Sequence, residues 1–334
     1  MNANHPEFSV IIPVYNRPDE VDELLCSLAE QSAGDFEVVV VDDGSQISCE
    51  QVVEKYVGRL AVRYFYKQNS GPGQTRNYAA QECAGEYLLI LDSDCVLPPD
   101  YIAEVKKELL RQPCDAFGGP DRMHPSFTDV QKAISYSMTS FFTTGGIRGG
   151  KRKLDKFYPR SFNMGVRREV YEALGGFSRM RFGEDIDFSI RIFKEGYACR
   201  LFPEAWVWHK RRTDFRKFFR QVFNSGVARI NLYKKYPSSL KLVHLLPACF
   251  VLGVLCLLLL SFFSAYALLP LLLYVLLIFV DASLLNGSLR IGALSVVASF
   301  TQLAGYGCGF LVAFWRRVIC GKGEYEAFKK NFYK

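Results

Sequence analysis

Residues 89–101 read LILDSDCVLPPDY: an apolar run, then Asp92 and Asp94 two positions apart, then a proline turn. Burying an unpaired carboxylate is costly, so this pair needs a cation, a hydrogen-bond cradle or water. The neighbouring pattern says where the pair sits. Upstream, FSVIIPV, FEVVVVDDGS and AVRYFY are apolar runs of strand type, and EYLLILDSD is a fourth. Between the first two lies RPDEVDELLCSLAEQ, with Pro18 suited to a first helical turn and Val21, Leu24, Leu25 and Leu28 at helical spacing. GPGQTRNYAAQEC opens another helix before the fourth run. Strands alternating with helices of this length predict an α/β fold, a parallel sheet with helices on both faces. Ligands in such sheets bind beyond the carboxyl ends of the strands. Asn16, Asp42, Asp43, Asp92 and Asp94 all fall there, so they can converge on one crevice. One acid after a strand is an ordinary turn former, but three strands ending this way are less easily dismissed.

The residue types point to charge chemistry. Asp-Ser-Asp offers hard carboxylate oxygens two positions apart, an arrangement that suits Mg²⁺ or Mn²⁺ shared with a diphosphate. Further on, RFGEDIDFSIRIFKEGY starts a helix with Glu184, Asp185 and Asp187 in its first turn and Ile186, Phe188, Ile190, Ile192 and Phe193 facing inward. Acids there stabilise a helix by themselves. Three of them after the flexible Gly183 fit a carboxylate held at a pocket, where it can take a proton from a hydroxyl. In AWVWHKRR, His209 ends a short apolar strand, either as a structural histidine or as an imidazole completing a site built on the two aspartates. CDAFGG is a short strand, a helix is expected over residues 128–142, and the Gly/Lys-rich residues 143–153 form a loop, either a solvated linker or a gate over the substrate.

Composition bounds the rest. The 334 residues are 49% hydrophobic, enough to bury a sizeable core, and the formal charge is +7. That charge is uneven. Residues 210–241 hold ten Lys/Arg against one acid and residues 316–334 hold six against two, so these segments carry +9 and +4 and the remainder about −6. The basic excess is a local collar, which excludes a nucleic-acid surface spread over the fold. Ten scattered cysteines without a CxxC spacing fit a reducing compartment, and MNANHPEFSV lacks the features of a secretory signal, so the first domain is expected in the cytoplasm.

Three apolar stretches follow at residues 242–263, 266–285 and 291–314, each near the ~20 residues that span a bilayer. Basic residues flank the region on both sides, which places both ends in the cytoplasm and disfavours three full spans. The last stretch, interrupted by GYGCG at 305–309, is the candidate for a re-entrant segment. Before them, TDFRKFFRQVFNSGVARINLYKKYP has Thr213 as a cap and Phe215, Phe218, Phe219, Val222 and Phe223 along one side, with Arg216, Lys217 and Arg220 interleaved. Such a basic amphipathic helix either lies in a bilayer interface, favoured by anionic lipids, or packs on the first domain. The expected division is therefore residues 1–210 as the first domain, 211–241 as the basic interfacial helix, 242–315 as two or three transmembrane or re-entrant helices, and 316–334 as a basic cytoplasmic tail.

Taken together, VIIPVYNRPDEVDELLCSL, VVVVDDGS, GPGQTRNYAAQECAGEYLLILDSD, SFNMGVRREVYEALGGF and GEDIDFSIR resemble the family 2 glycosyltransferases over about residues 8–210. The resemblance implies an A-type nucleotide-sugar-binding fold with a mixed, mostly parallel sheet. By it, Pro13, Tyr15 and Asn16 with Asp43 would hold the base and ribose, with Asp42 beside them. Arg76 would face the diphosphate, Asp92 the sugar or ribose, and Asp94 and His209 the metal. Asn163 and Gly165 would lie in the loop near the sugar. Asp185 would be the general base and Glu184 would contact donor or acceptor.

The family's processive polymerases carry Gln-x-x-Arg-Trp near the membrane, whereas Gln221 here is followed by Asn224, which disfavours polymerisation. The implied activity is inverting, metal-dependent transfer of one sugar, with a UDP-sugar as default donor, to a glycan or lipid-linked acceptor in surface polysaccharide synthesis. The implied place is the bacterial inner membrane, multi-pass, with the catalytic domain cytoplasmic and membrane lipids, not nucleic acid, as partners. Transfer onto polyprenyl phosphate is an alternative that needs a general base less. A catalytically silent membrane scaffold is a third reading, opposed by the intact acids. A dinucleotide oxidoreductase is disfavoured because no GxGxxG follows the first strand.

Overall fold

The computed structural model describes residues 6–144 and 157–324. In chain order its first half contains β1 (Phe8–Val14), α1 (Pro18–Ala29), β2 (Phe36–Asp42), α2 (Glu50–Glu54), β3 (Val62–Tyr66), α3 (Pro72–Glu82), β4 (Tyr87–Leu91), β5 (Cys95–Val96), α4 (Tyr101–Arg111), β6 (Ala116–Gly118), β7 (Asp121–Arg122), α5 (Asp129–Thr139) and α6 (Phe141–Thr144). There follow β8 (Asn163–Arg167), α7 (Arg168–Ala173), α8 (Glu184–Lys194), β9 (Cys199–Leu201), β10 (Val207–His209), α9 (Phe215–Lys235), α10 (Leu246–Ser261), α11 (Leu269–Asn286) and α12 (Leu289–Phe314). Two compact units result. Among the described residues, 6–124 and 157–210 form the first, and 125–144 and 211–324 the second.

The first unit is built on a seven-stranded sheet of order β3-β2-β1-β4-β8-β6-β9. β8 runs antiparallel to both neighbours and the remaining pairs are parallel, so the sheet is mixed and mostly parallel, as expected. Every residue of β2 and β4 is buried, which explains why residues 38–41 of β2 and the whole of β4 read as unbroken apolar runs instead of alternating. One sheet face sends Val10, Ile12 and Val38 against Val21, Leu24 and Leu25 of α1. The other sends Ile11, Val39 and Ile90 against Ala79, Phe177 and Phe188. Each such fully buried side chain contributes about 1.5–3 kcal/mol. The chain steps from β1 outward to β2 and β3 and then returns to place β4 on the other side of β1, so the strand order reverses at β1. Ligand crevices form at that point, beyond the carboxyl ends of the strands. A small second sheet, β5-β10-β7, sets His209 opposite Cys95.

In the second unit α12 is the central helix, and α5, α9, α10 and α11 pack on it. The helix expected over 128–142 is α5 followed by α6, and it clusters here and not with the first unit, because Ala133, Ile134 and Met138 pack with Phe218, Val222 and Ala298. Thr128 caps it in a reciprocal box with Gln131. The cap of α9 is Asp214, whose carboxylate accepts the Lys217 N–H at 2.7 Å, and not Thr213. The side of α9 expected to face lipid is divided. Phe218 and Val222 are buried against α5 and α12, while Arg216, Lys217, Phe219 and Arg220 remain exposed.

The expectation of a break at 305–309 is corrected, because α12 runs through it without interruption. A Cβ on Gly305 would lie 2.5 Å from Val222 Cγ2, one on Gly307 2.3 Å from the Pro247 carbonyl oxygen, and one on Gly309 2.1 Å from that of Phe223. From the facing helix, a Cβ on Gly226 would lie 2.2 Å from the Tyr306 carbonyl oxygen. The glycines let three helix backbones approach closely instead of ending a helix. Segments Ala265–Asn286 and Leu289–Ile319 are long and apolar enough to cross a membrane, whereas Leu246–Ser261 has only 16 residues against the ~20 a span requires. The two charged residues within 246–314 both have partners: Asp281 accepts the Tyr136 hydroxyl at 2.6 Å, and Arg290 meets Asp129 at 3.2 Å. Most of the 143–153 stretch, and residues 325–334 of the basic tail, lie outside the described residues.

Candidate functional site

Where β1 ends, Asn16 takes φ +55°, the sole positive φ among described non-glycine residues. Asn side chains tolerate this conformation because they can bond local backbone. Here the Asn16 amide oxygen accepts the N–H groups of Gln46 and Ile47 at 2.7 and 3.1 Å, and its own N–H donates to Ser45 Oγ at 2.8 Å. Half-buried Tyr15 precedes it, and half-buried Pro13 lies in register with Val41. Asp42, fully buried at the end of β2, accepts from the Ser45 N–H at 2.7 Å and the Tyr64 hydroxyl at 3.1 Å. Asp43 is saturated. One oxygen takes Lys67 Nζ at 2.5 Å and the Ser70 N–H at 2.8 Å; the other takes the Gly71 N–H at 2.8 Å and Asn69 Nδ2 at 3.1 Å. The aspartate thereby clamps residues 67–71, the turn that launches α3.

α3 carries Arg76, which is 3% exposed. Its Nη2 meets Asp92 at 2.6 Å and its Nη1 meets Glu184 at 3.2 Å, while the guanidinium lies over the Phe177 ring at 5.2 Å. One buried cation thus ties the end of β4 to the start of α8. Burial works to lower its pKa, and the Asp92 and Glu184 charges more than offset that, leaving it raised. Gly183 caps α8 in the left-handed conformation at φ +85°, so the first turn presents both acids. Phe188 and Ile192 anchor the helix in the core, with Ile186, Ile190 and Phe193 only half-buried. Asp185 accepts Arg160 Nε at 2.7 Å and the Ile186 N–H at 2.8 Å. The two carboxyls diverge in acidity. Burial and then the Asp185 charge push Glu184 well above the ordinary carboxylate range, against the pull of Arg76. Burial also raises Asp185, but the Arg160 guanidinium and the Ile186 N–H outweigh it and leave that group below the ordinary range.

At the other side of β4, Asp94 Oδ1 lies 3.2 Å from His209 Nε2, and Asp94 Oδ2 receives Arg17 at 3.1 Å. Arg17 also holds Glu20 at 2.7 Å. The His209 ring stacks on Phe162 at 4.8 Å, with Nδ1 4.0 Å from Asp121 Oδ2. The ligand atoms of Asp94, Cys95 and His209 fall within 4.8 Å of one another. Cys95 is a soft donor whose thiol donates to the Phe162 carbonyl at 3.3 Å, and burial holds it protonated, far above its usual pKa. Of the two that remain, the Asp94 carboxylate is a hard oxygen donor that suits Mg²⁺ or Mn²⁺, and the His209 imidazole is a borderline nitrogen donor that fits Mn²⁺ better than Mg²⁺.

Two expected residues stand apart. Asn163 is 1% exposed, and its amide accepts the Tyr101 hydroxyl at 2.7 Å and donates to the Ala205 carbonyl at 2.8 Å, so it braces the interior. A Cβ on Gly165 would lie 2.0 Å from the Phe117 ring, so this glycine makes room for the Phe117–Phe202 stack. Sequence reasoning missed Arg17, Arg160 and Phe177. A count of charges held the signal for Arg160: a buried acid pair requires a nearby cation, and Arg76 alone is shared with Asp92.

The sequence model of the family described as Glycosyl transferase family 2 matches residues 9–175, half of the chain. Among curated proteins, the poly(ribitol-phosphate) beta-N-acetylglucosaminyltransferase TarS of Staphylococcus aureus is 44% identical over 109 residues, 31% of this chain and 18% of that protein. The match thus spans under a fifth of that relative's length. Among solved structures, the mannosyltransferase PcManGT from Pyrobaculum calidifontis, in complex with GDP-Man and Mn²⁺, superposes with a TM-score of 0.61 at 19% identity, covering 94% of this chain and 89% of that one. Residues 1–349 of S. aureus TarS in complex with UDP superpose with a TM-score of 0.50 at 20% identity, covering 96% and 93%. At these identities the structural likeness concerns the fold.

Proposed function

The chain belongs to glycosyl transferase family 2, and from that premise we propose that it transfers one sugar from a nucleotide-sugar to a hydroxyl acceptor with inversion at the anomeric carbon. The observation that carries this reading is Arg76, which joins Asp92 at the end of β4 to Glu184 at the start of α8 within one buried cluster. Donor-side and acceptor-side carboxylates are thereby held by a single cation. In this reading Asn16, Tyr15, Pro13 and the turns fixed by Asp42 and Asp43 line the nucleotide end, and Arg76 and Asp92 meet the diphosphate and sugar. Asn163 and Gly165 support that wall from behind.

Asp185 is the general base. Kept ionised by Arg160, it accepts the acceptor's hydroxyl proton as that oxygen bonds to the anomeric carbon on the face opposite the leaving group. The electron pair of the breaking C–O bond departs with the nucleoside diphosphate. Glu184, the more readily protonated of the pair, hydrogen-bonds a hydroxyl of donor or acceptor. Arg76 offsets charge developing on the leaving group. Asp94 and His209 would hold Mg²⁺ or Mn²⁺, which when bound neutralises diphosphate charge.

The apolar segments of the second unit and the basic exposed residues of α9 support a membrane location and a lipid-linked glycan acceptor. A UDP-sugar is the default donor, supported by the UDP complex of TarS. Calorimetric titration of UDP, GDP and dTDP into the detergent-solubilised chain, with Mn²⁺ or with EDTA, tests the reading. One nucleotide should bind in the presence of metal, and Asp94→Ala should abolish the metal dependence; a folded chain that binds none of them contradicts it.

A further inference from the structure

Arg160 lies in an irregular segment, residues 157–162, that returns the chain to β8, and its side chain is 37% exposed. The guanidinium uses one edge. Its Nε donates to Asp185 Oδ2 at 2.7 Å, whereas Nη1 and Nη2 make no hydrogen bond among the described residues. Burial lowers the Arg160 pKa, and Asp185 first, with Glu184 and Asp121, more than offsets this. The group is therefore surrounded by acids running from the Glu184-Asp185 pair towards Asp121, which is 4.0 Å from His209 Nδ1. Its unbonded Nη1 and Nη2 remain as donors that can take a further anion, in competition with these carboxylates. A guanidinium can hold a carboxylate on one edge and a phosphoryl group on the other, which an ammonium cannot do at once.

Resting on the glycosyltransferase reading, we propose that Arg160 has two duties: through Nε it positions Asp185, and through Nη1 and Nη2 it binds a phosphoryl group of a substrate. That group comes either from the donor diphosphate or from an acceptor that carries phosphate beside its reacting hydroxyl. The chemistry is the same in both cases, and the probes separate them.

Full-length Arg160→Lys and Arg160→Gln variants, with thermal unfolding as the folding control, are titrated with UDP, with uridine, and with inorganic phosphate after UDP saturation. Lysine keeps one charge for Asp185, so Arg160→Lys should unfold as the parent does. It should nevertheless bind the phosphoryl probe roughly tenfold more weakly, with uridine unchanged. A loss confined to UDP assigns the donor diphosphate, and a loss confined to inorganic phosphate assigns the acceptor. The positioning duty is read from the pH profile of UDP-sugar hydrolysis: its acidic limb should move to higher pH in Arg160→Gln, because Asp185 loses the charge that keeps it ionised, and should return towards the parent in Arg160→Lys.

Unchanged affinity for UDP and phosphate in both variants overturns the proposal, as does a parent chain that binds neither. A parent that binds no nucleoside diphosphate but does bind phosphate through Arg160 contradicts the glycosyltransferase reading alone.

Discussion

The two ends of the crevice handle their carboxylates differently. At the proposed nucleotide end, Asp43 meets four donors, two of them backbone N–H groups, and the aspartate and its loop fix each other. At the proposed catalytic end, Asp92, Glu184 and Asp185 depend on two arginines; burial raises both Glu184 and Asp185, and the Arg160 guanidinium with the Ile186 N–H brings Asp185 alone back down, which separates the two in acidity. Backbone donors make a carboxylate structural, because they cannot leave without unfolding the turn. Side-chain cations make it adjustable, and groups with separated acidities are what acid–base work requires.

The sharpest way to break this comparison is to remove one acid from each end. Asp185→Asn should lower turnover by roughly 10²–10⁴-fold, measured as steady-state nucleotide release, at a smaller cost in stability than the loss of Asp43, because the Asn amide can still accept from Arg160. Asp43→Ala should do the reverse in kind: it leaves Lys67 and two N–H groups without their acceptor and should cost about 3–5 kcal/mol of stability, read from denaturant unfolding. If Asp43→Ala unfolds as the parent does, the distinction between the two ends fails.

A smaller effect concerns pH. Glu184 has a folded pKa above its unfolded value, so its contribution favours folding below the unfolded pKa and is lost as pH rises through the folded one. Glu184→Gln should therefore match the parent near pH ~4 and exceed its stability by on the order of 1 kcal/mol near pH ~9. Equal stability of the two at both pH values would mean that Arg76 already compensates the carboxylate. The smallest effect belongs to Arg17, which competes with any cation for Asp94 Oδ2. Arg17→Ala should tighten Mn²⁺ binding about two- to fivefold by calorimetry, and weaker binding would make Arg17 a support for the metal instead of a competitor.

Much of the first unit was legible because its signals are local. Buried strands β2 and β4 show as continuous apolar runs, α1 shows its 3.6-residue stripe, and Asp92 and Asp94 stand out where an apolar run stops. Residues whose meaning is tertiary were not legible. Arg160 lies in a stretch without periodicity, and only folding brings it to Asp185, 25 residues onward. Asn163 matched a motif, yet its amide is turned to Tyr101 and Ala205, a direction that strand parity and the pairing partner decide. Likewise GYGCG read as a helix break because glycine lowers helix propensity, while in α12 close packing with α9 and α10 overrides that local cost. The α5 segment read as part of the first domain because sequence order was the sole guide; its apolar face belongs with α9 and α12.

The central claim is that Asp185, held by Arg160, deprotonates an acceptor hydroxyl while Arg76 and a metal at Asp94 and His209 release the nucleotide. Its most direct test is nucleotide release from UDP-, GDP-, CMP- and dTDP-sugars by the detergent-solubilised chain, with membrane lipid extract as acceptor, Mn²⁺ or EDTA, and the Asp185→Asn variant alongside. The account predicts release from one donor that requires both extract and metal and disappears in Asp185→Asn. Release that persists undiminished in Asp185→Asn would contradict it.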